Sequence, residues 1–512
     1  MKVRYIGTLL IAILMSANIY AGNINAGLDG EIKNKAKQEK KGATNANKQV
    51  AKSGWNVTPS PSLGYDSDTG FQIGAMCDVF DYGDGTLYPG YRHKAFVNLS
   101  WTTRNQIKLH FFYDSKYLIP KVRFTSVVTY ILSQMYPFMG FNGAAAPYYD
   151  HLASGSKQKN RVAMYNIQRD MLRAMFDFQG DIYTSKFRWA AGISYWWYND
   201  QDITLKKGGK SVYDSDFAND YLVEAQNIKY PSLWRLYREA GLILPSEGNG
   251  GHHLEFKAGL VFDSREHEAD PTSGIWAELY AYGSPDILNG RGKNGFHYLK
   301  LAAHFRQYIP LLNDKIVFAY HLAYQGKLAG NAPYYTLQNI NAIFLTQMIS
   351  DGLGSVSTVR GVPYNSVIGD GYAWANVEMR FKVASFRFLR QNFYLATNPF
   401  FDMGACVQEY RLVDKMKPLR EQHDTNKKKG LPTRFSDAEM NLIYTGNSPK
   451  LHLSAGIGFK IVMNRNFVLS AEFGIPLNTV IYSNTNLDVP ADKLTTKRSY
   501  SPGINIGMNY IF

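Results

Sequence analysis

The feature that most constrains this chain is the alternation of its side chains along many long segments. In residues 187–195, 316–325 and 467–475, large apolar side chains occupy most of one set of alternate positions. Small or polar side chains occupy most of the other set. Since successive side chains of a β-strand point to opposite faces, this pattern predicts strands with one face in an apolar medium and the other in a polar one.

Two architectures alternate in this way, a soluble β-sandwich and a transmembrane β-barrel. The barrel is favoured because the segments are long and recur from Trp55 to the end of the chain. Their inner faces are mostly small or polar, as a wet lumen requires. The last segment also ends on Phe512, and a terminal aromatic residue is typical of outer-membrane barrels. We therefore predict an all-β fold, a transmembrane antiparallel β-barrel of about sixteen strands.

Short turns and long loops alternate along the predicted barrel. The short turns are predicted near residues 180–185, 265–273, 313–315, 391 and 464–466, and the long loops over 139–160, 200–251, 325–371, 408–449 and 478–499. In bacterial barrels the short turns face the periplasm and the long loops face the cell surface.

The strand count closes only if residues 55–64 form the first strand and the chain turns at 66–70. This strand contains Pro59 and Pro61. Each proline removes a backbone donor from a ladder. We therefore expect the first strand to pair poorly along one of its edges.

The first residues predict export. Lys2 and Arg4 precede the apolar run 6–15, and small residues stand at Ala17 and Ala21, which is the pattern of a secretory signal peptide. A retained anchor is the alternative. We predict a cleaved signal peptide at 1–21, a flexible basic periplasmic tail at 22–54 and the barrel at 55–512, which together favour the bacterial outer membrane.

Composition excludes several other classes of protein. A hydrophobic content of 45% excludes a mostly disordered chain. The net charge is +14, but the basic residues are spread among aromatic strands, which argues against nucleic-acid binding. The two cysteines, Cys77 and Cys406, make neither a disulfide framework nor a metal site. With no catalytic triad and no Gly-x-Ser-x-Gly motif, we predict no enzyme activity, no cofactor and no metal.

One constellation goes beyond a generic barrel. Arg360 and Gly361 lie in one of the longest loops. On the next two strands, alternation places Glu378 and Asp402 toward the lumen. A guanidinium can bridge such a pair through charge-assisted, bidentate hydrogen bonds. The pattern therefore predicts a long loop that folds inward and is tied inside the barrel.

This constellation resembles the BamA/TamA family of outer-membrane barrels, the bacterial surface antigen family. The similarity rests on the Arg360-Gly361 motif, the strand with the inward Glu378, and the Phe400-x-Asp402-x-Gly404 strand. Three other segments resemble the family in order: its first hairpin at 64–70, its aromatic-Gly-x-Gly-Asn segment at 138–142, with the second glycine replaced, and its D-x-R…P-x-x-G turn at 263–274.

The resemblance implies roles for particular residues. It implies that Arg360 anchors the inward loop against Glu378 and Asp402. The implied loop-anchor set in the lumen is Arg360, Gly361, Glu378, Asp402 and Gly404. The resemblance also implies a weak lateral seam between the first and last strands, at Pro59, Pro61 and Phe512.

The chain departs from typical family members at its N-terminus. Those members carry periplasmic POTRA domains, whereas about thirty residues separate the predicted cleavage site from the barrel here, too few for one folded domain. We therefore expect a barrel without POTRA domains, which puts autonomous insertase activity in doubt. The predicted function is to assist insertion or translocation of proteins at the outer membrane. The alternatives are a channel or an accessory structural subunit of an outer-membrane complex.

The predicted partners follow from this function. They are outer-membrane lipid and, through the resemblance, unfolded outer-membrane proteins or subunits of an envelope assembly complex. Nucleic acid is not among them.

Overall fold

The computed structural model of the protein describes residues 52–508 with short gaps. The gaps are 87, 89, 142–147, 150–151, 153–163, 204–205, 208–209, 212–227, 231, 269, 293–294, 313–314, 346–351, 389–390, 447–450, 464, 466 and 485. The predicted signal peptide, nearly all of the predicted tail and Phe512 lie outside the described residues. The described part begins three residues before the first strand, so it holds no POTRA domain.

Sixteen antiparallel strands form one closed barrel in which each strand pairs with its neighbours in the chain, and the last pairs with the first. The strands are β1 (Trp55–Asp66), β2 (Gly70–Asp81), β3 (His93–Thr102), β4 (Gln106–Ile119), β5 (Val122–Pro137), β6 (Asn166–Thr184), β7 (Phe187–Gln201), β8 (Gly250–Asp263), β9 (Gly274–Ser284), β10 (Tyr298–Pro310), β11 (Ile316–Gly330), β12 (Gly371–Phe388), β13 (Gln391–Gln408), β14 (Leu451–Met463), β15 (Phe467–Pro476) and β16 (Gly503–Met508). The predicted all-β barrel of sixteen strands is confirmed.

The burial of side chains follows the alternation in the sequence. In β11, Leu322 is 51% exposed, whereas the adjacent His321 is 1% exposed. The exposed large hydrophobic residues of the other strands form the outer surface in the same way, as with Leu279 and Phe459. An apolar outer face on every side is what a bilayer requires of a barrel.

The two ends of the barrel differ as predicted, although some boundaries move. The connections after β4 and β6 are tight turns, while 138–165, 202–249, 331–370, 409–450 and 477–502 are long loops at the other end. The structure extends β6 to Thr184, so its turn lies at 185–186 rather than 180–185. It also extends β11 to Gly330, which takes up the first six residues of the predicted loop. Strands therefore continue through positions where composition alone suggested a turn.

The seam between β1 and β16 is short among the described residues. β1 pairs with β2 over twelve residues, but with β16 only at Tyr65↔Ile506 and Asp66↔Asn505. Ser67 donates its amide to the carbonyl of Ile504 at 2.9 Å. The N–H groups of alternate residues point to the same neighbour, so Pro59 and Pro61 lack donors on the edge that faces β16.

The long-loop end is packed with side chains, which corrects the expectation of a wet lumen there. Three helices belong to this cap: α1 (Leu233–Glu239), α2 (Met416–Lys428) and α3 (Asp437–Ile443). Loop residues such as Phe141 and Tyr237 join strand residues such as Trp196 in one buried cluster. Alternation shows which residues face inward, but it does not show that loops fold back to meet them.

The remaining elements are short. They are the 3-10 turns Tyr334–Thr336, Val413–Lys415 and Ala491–Lys493, and two small hairpins outside the barrel, Lys206–Lys207 with Lys210–Ser211 and Val480–Tyr482 with Thr496–Arg498. Within the described ranges, no helix is long and apolar enough to cross a membrane.

We expect Leu322→Arg to lower the free energy of unfolding by about 2–4 kcal/mol, because it places a charge in the middle of the apolar outer face. Urea unfolding in lipid vesicles, followed by tryptophan fluorescence, measures the change. Tyr183→Arg is the matched control, since Tyr183 is 90% exposed at the end of β6. Equal loss in the two variants would contradict the lipid-facing assignment.

Candidate functional site in the barrel lumen

The loop between β11 and β12 folds into the lumen. It comprises residues 331–370, and its tip is a turn in which the amide of Val362 donates to the carbonyl of Val359 at 3.2 Å. Gly361 in this turn has φ +92°, a left-handed conformation that glycine adopts at little cost. The turn directs the neighbouring Arg360 toward the barrel wall, where that residue is 2% exposed.

Arg360 binds Asp402 of β13 through three hydrogen bonds. Its Nε donates to Oδ2 at 2.7 Å, its Nη2 to Oδ1 at 2.8 Å and its backbone amide to Oδ2 at 3.0 Å. The two guanidinium bonds form the bidentate pair that suits a planar carboxylate. Asp402 therefore holds both the side chain and the backbone of the loop tip.

Glu378 of β12 is the centre of the neighbouring contacts. Its Oε2 accepts from Arg360 Nη1 at 3.0 Å and from Asn398 Nδ2 at 3.0 Å. Its Oε1 accepts from Arg380 Nε at 2.5 Å and lies 3.6 Å from Lys460 Nζ. The carboxylate thus joins the loop to strands β12, β13 and β14.

The cluster is balanced in charge. Arg360 Nη1 also lies 3.3 Å from Glu472 Oε2 on β15. The members are three cations, Arg360, Arg380 and Lys460, and three carboxylates, Glu378, Asp402 and Glu472. Removing one partner of a buried pair costs about 3–5 kcal/mol because it leaves an uncompensated charge. The cluster therefore holds the loop firmly.

Uncharged side chains complete the attachment. The guanidinium of Arg360 stacks over the ring of Phe400, with 3.6 Å from Cζ to the ring centroid, a favourable cation–π geometry. Asn376 Nδ2 donates to the carbonyl of Thr358 at 2.5 Å, and its Oδ1 is bonded to His321. The segment before Arg360 is thus held as well as Arg360 itself.

Glycines allow the loop to lie against the wall. A Cβ on Gly404 would stand 2.7 Å from Val359 Cγ2. A Cβ on Gly361 would stand 2.5 Å from the carbonyl carbon of Gly474 on β15. Both distances are shorter than real Cβ contacts, so these two positions need glycine for close packing.

The structure brings the five predicted lumen residues together. Arg360, Gly361, Glu378, Asp402 and Gly404 all lie at the contact between the inward loop and strands β12 and β13. Pro59 and Pro61 lie apart from them, on the seam edge of β1. Phe512 is outside the described residues.

Sequence analysis missed three charged members of the cluster. They are Arg380, Lys460 and Glu472. Glu472 stands in a segment whose alternation already places it inward. An inward charge with no opposite charge nearby in sequence was the available sign that it pairs with a distant residue. Strand parity shows the face on which a residue lies but not its height in the barrel, and height decides which charges meet.

A second attachment holds the same loop to a different part of the wall. Lys257 Nζ on β8 donates to the carbonyl of Ile343 at 2.8 Å and pairs with Asp177 of β6 at 2.7 Å. Glu278 of β9 accepts from the amide of Leu345 at 3.0 Å. The loop therefore spans the lumen between two sites of attachment.

The short-turn end is crossed by the β8–β9 turn, residues 264–273. Glu268 accepts from Arg123 of β5 at 3.0 Å, and Asp270 accepts from Tyr394 of β13 at 2.6 Å. These strands are eight positions apart in the ring, on opposite sides. The Arg123 guanidinium holds the pKa of the Glu268 carboxyl well below its usual range. The turn is thus tied across the mouth by charged groups.

The side chains described above attach a loop to the wall of the barrel. In the part of the chain that the structure describes, no group of three or more His, Cys, Asp or Glu side chains is placed to hold a metal ion. The charges of the Arg360 cluster are engaged with one another. The cluster therefore holds the inward loop against strands β12, β13, β14 and β15.

Comparison with known proteins places the chain in a family. The Omp85 superfamily domain matches residues 158–489, more than half of the chain. Among solved structures, BamA from Haemophilus ducreyi lacking POTRA domains 1-3 is 13% identical, with 89% of this chain and 70% of that chain covered and a TM-score of 0.45. CdiB from Escherichia coli is 12% identical, with 90% and 64% covered and a TM-score of 0.45. No curated protein matches.

We expect Arg360→Lys to lower the free energy of unfolding by about 3 kcal/mol, because an ammonium cannot replace the bidentate fork in a buried site. Urea titration in detergent micelles measures it. Arg387→Lys is the control, since this residue lies at the exposed end of β12. A loss no larger than the control's would show that the bidentate geometry carries no stability.

We expect Gly404→Ala to lower the free energy of unfolding by about 1–3 kcal/mol through overpacking against Val359. Adding Val359→Ala removes the nearest methyl group that the new Cβ would meet, while those of Leu353 at 2.9 and 3.2 Å remain, so the double variant should be more stable than the sum of the single changes predicts. Gly507→Ala, where the nearest atom is 3.6 Å away, serves as control. Additive losses would argue against this contact.

Proposed function

Since the chain belongs to the Omp85 superfamily, we propose that it is an outer-membrane barrel that assists insertion or translocation of proteins. The observation that carries the proposal is the contrast between a lumen closed by buried charges and a seam closed by few hydrogen bonds. Its partners are then outer-membrane lipid and unfolded outer-membrane proteins or envelope assembly subunits. We propose no catalytic activity for it.

The contrast can be put in energies. Releasing the loop would break together the three hydrogen bonds from Arg360 to Asp402, its bond to Glu378 and its stacking on Phe400, and hydrogen bonds to charged groups contribute about 1.5–3 kcal/mol each. A hydrogen bond between strands contributes about 0.5–1.5 kcal/mol net, and β1 and β16 pair at two residues in the described part. Separating the seam is therefore the easier opening. This favours a route along the seam over a route through the lumen.

An opened seam would present a strand edge to an incoming chain. Free N–H and C=O groups on such an edge template a further strand by β-augmentation. Pro59 and Pro61 remove two donors from the β1 edge, which weakens its own closure. A client strand with its own hydrogen-bonding groups would then pair best with the β16 edge.

The test is depletion of the protein with quantitative mass spectrometry of the outer membrane. We expect client outer-membrane proteins to fall in abundance, and expression of the natural chain to restore them. Loss of no outer-membrane protein, with a change in solute or lipid permeability, would overturn the proposal in favour of a channel. An intact proteome with a disrupted envelope complex would favour an accessory structural subunit.

We expect a disulfide across the seam to block this restoration. The pair Tyr65→Cys and Ile506→Cys, opposite each other in β1 and β16, is placed in a chain whose Cys77 and Cys406 are replaced by serine. The control pair is Ala258→Cys and Ala281→Cys, opposite each other in β8 and β9. Reductant should rescue the seam-locked chain, and full activity of the oxidised seam-locked chain would exclude the seam route.

A further inference from the structure

The inward loop touches the last strands beside the seam. A Cβ on Gly503, the first residue of β16, would stand 2.8 Å from the Cα of Gly361. A Cβ on Gly474 of β15 would stand 2.6 Å from the carbonyl carbon of Arg360. The loop backbone therefore lies directly against the backbone of both strands on one side of the seam.

Three residues further on, the same loop touches the other side. The amide of Tyr364 donates to Oδ2 of Asp68 at 2.8 Å. Asp68 lies in the turn that joins β1 to β2, and its own amide donates to Asp66 Oδ1 at 2.7 Å. Next, Asn365 Nδ2 donates to the carbonyl of Pro137 at the end of β5 at 2.8 Å. Residues 361–365 thus pass from β16 across the seam to β1 and on to β5.

We propose that residues 361–364 form a clasp that holds the seam closed from inside the barrel, with Asp68 as the residue that fastens it to the first hairpin. The clasp joins β16 to the β1–β2 turn through a loop segment that belongs to neither strand. Because Arg360 fixes one end of this segment to β12 and β13, the clasp also links the seam to the lumen cluster. This holds for a translocator and for a channel alike.

The contacts of the seam itself show why one more attachment matters. At the long-loop end, β1 and β16 share the ladder pairs Tyr65↔Ile506 and Asp66↔Asn505. Beyond this ladder, Ser67 N–H donates to Ile504 O, Ile504 N–H donates to Ser67 Oγ and Asn505 Nδ2 donates to Asp66 Oδ2. Two of these three added bonds involve side chains. The Tyr364–Asp68 hydrogen bond contributes about as much free energy as each of these bonds. It therefore supplies a large part of the interactions that close this end of the seam.

The surroundings of Asp68 make the clasp sensitive to pH. Burial, and then the neighbouring Asp66, raise the pKa of Asp68 to about 7 from 3.8, while the Tyr364 amide and Arg104 act in the opposite direction. Asp68 therefore favours its protonated form when engaged. The clasp is most stable below about pH 4, where Asp68 is protonated whether the clasp is fastened or released. It weakens as pH rises toward 7 and changes little above that.

The experiment is hydrogen–deuterium exchange on the purified full chain in detergent micelles, with peptides that cover 503–508 as the reporter of seam opening. Asp68→Ala should speed exchange in these peptides about fivefold to tenfold, the factor that one lost hydrogen bond produces. Asp68→Asn keeps an acceptor oxygen, so the 503–508 peptides of this variant should exchange as slowly as those of the natural chain. Their protection should no longer depend on pH through residue 68. Peptides from β8 and β9 should exchange as in the natural chain.

Two further variants keep the test decisive. Asp84→Ala removes an aspartate that caps only its own loop, through Thr86, and should leave exchange at 503–508 unchanged. Gly503→Ala pushes the clasp away from the opposite side and should speed exchange as Asp68→Ala does. If both Asp68→Ala and Gly503→Ala fold as closed barrels with exchange at 503–508 unchanged, the clasp is refuted. No client is present, so this result leaves the proposed function untouched.

Discussion

A single buried guanidinium ties the inward loop to the wall of this barrel. Arg360 stands on a loop between β11 and β12 and reaches carboxylates on three other strands, at Glu378, Asp402 and Glu472. Since the six charges of the cluster balance one another, removing any of them leaves an uncompensated charge out of water. These charges therefore favour the position that the loop has in the structure. The glycine contacts at 361 and 404 and the clasp across the seam all depend on that position.

The cluster divides the barrel into a rigid part and a soft part. Across the lumen, the loop is bound at the Arg360 cluster and again at Lys257 and Glu278, and the opposite mouth is crossed by the β8–β9 turn. At the seam, the described strands share two residue pairs. A sheet closed by few bonds opens before a core of paired charges does. Membership of the Omp85 superfamily gives this contrast its functional meaning.

Much of the candidate site could be predicted because strand parity is a local property. Alternation alone placed Glu378 and Asp402 on the inner face, and Arg360 in the preceding loop was the cation that such a pair requires. The predicted tie of Arg360 to Glu378 and Asp402 is only half of the cluster, however. Arg380 and Lys460 were missed because their pairing with Glu378 depends on the stagger between strands, and stagger is set by the closure of the whole ring.

The alternation of apolar and polar side chains determined where the strands lie, how many there are and which face meets lipid. Each of these follows from the direction of successive side chains in a strand. The proline positions likewise showed that one edge of β1 lacks two donors, whereas the bond from Ser67 N–H to Ile504 O in the folded chain showed that this edge faces β16. The path of the inward loop was decided only in the folded chain. Tyr364 meets Asp68 across 296 residues of sequence, and no local pattern encodes a contact that exists only after the barrel has closed. The packed cap has the same origin, since its buried cluster joins loop residues to strand residues that are distant in sequence.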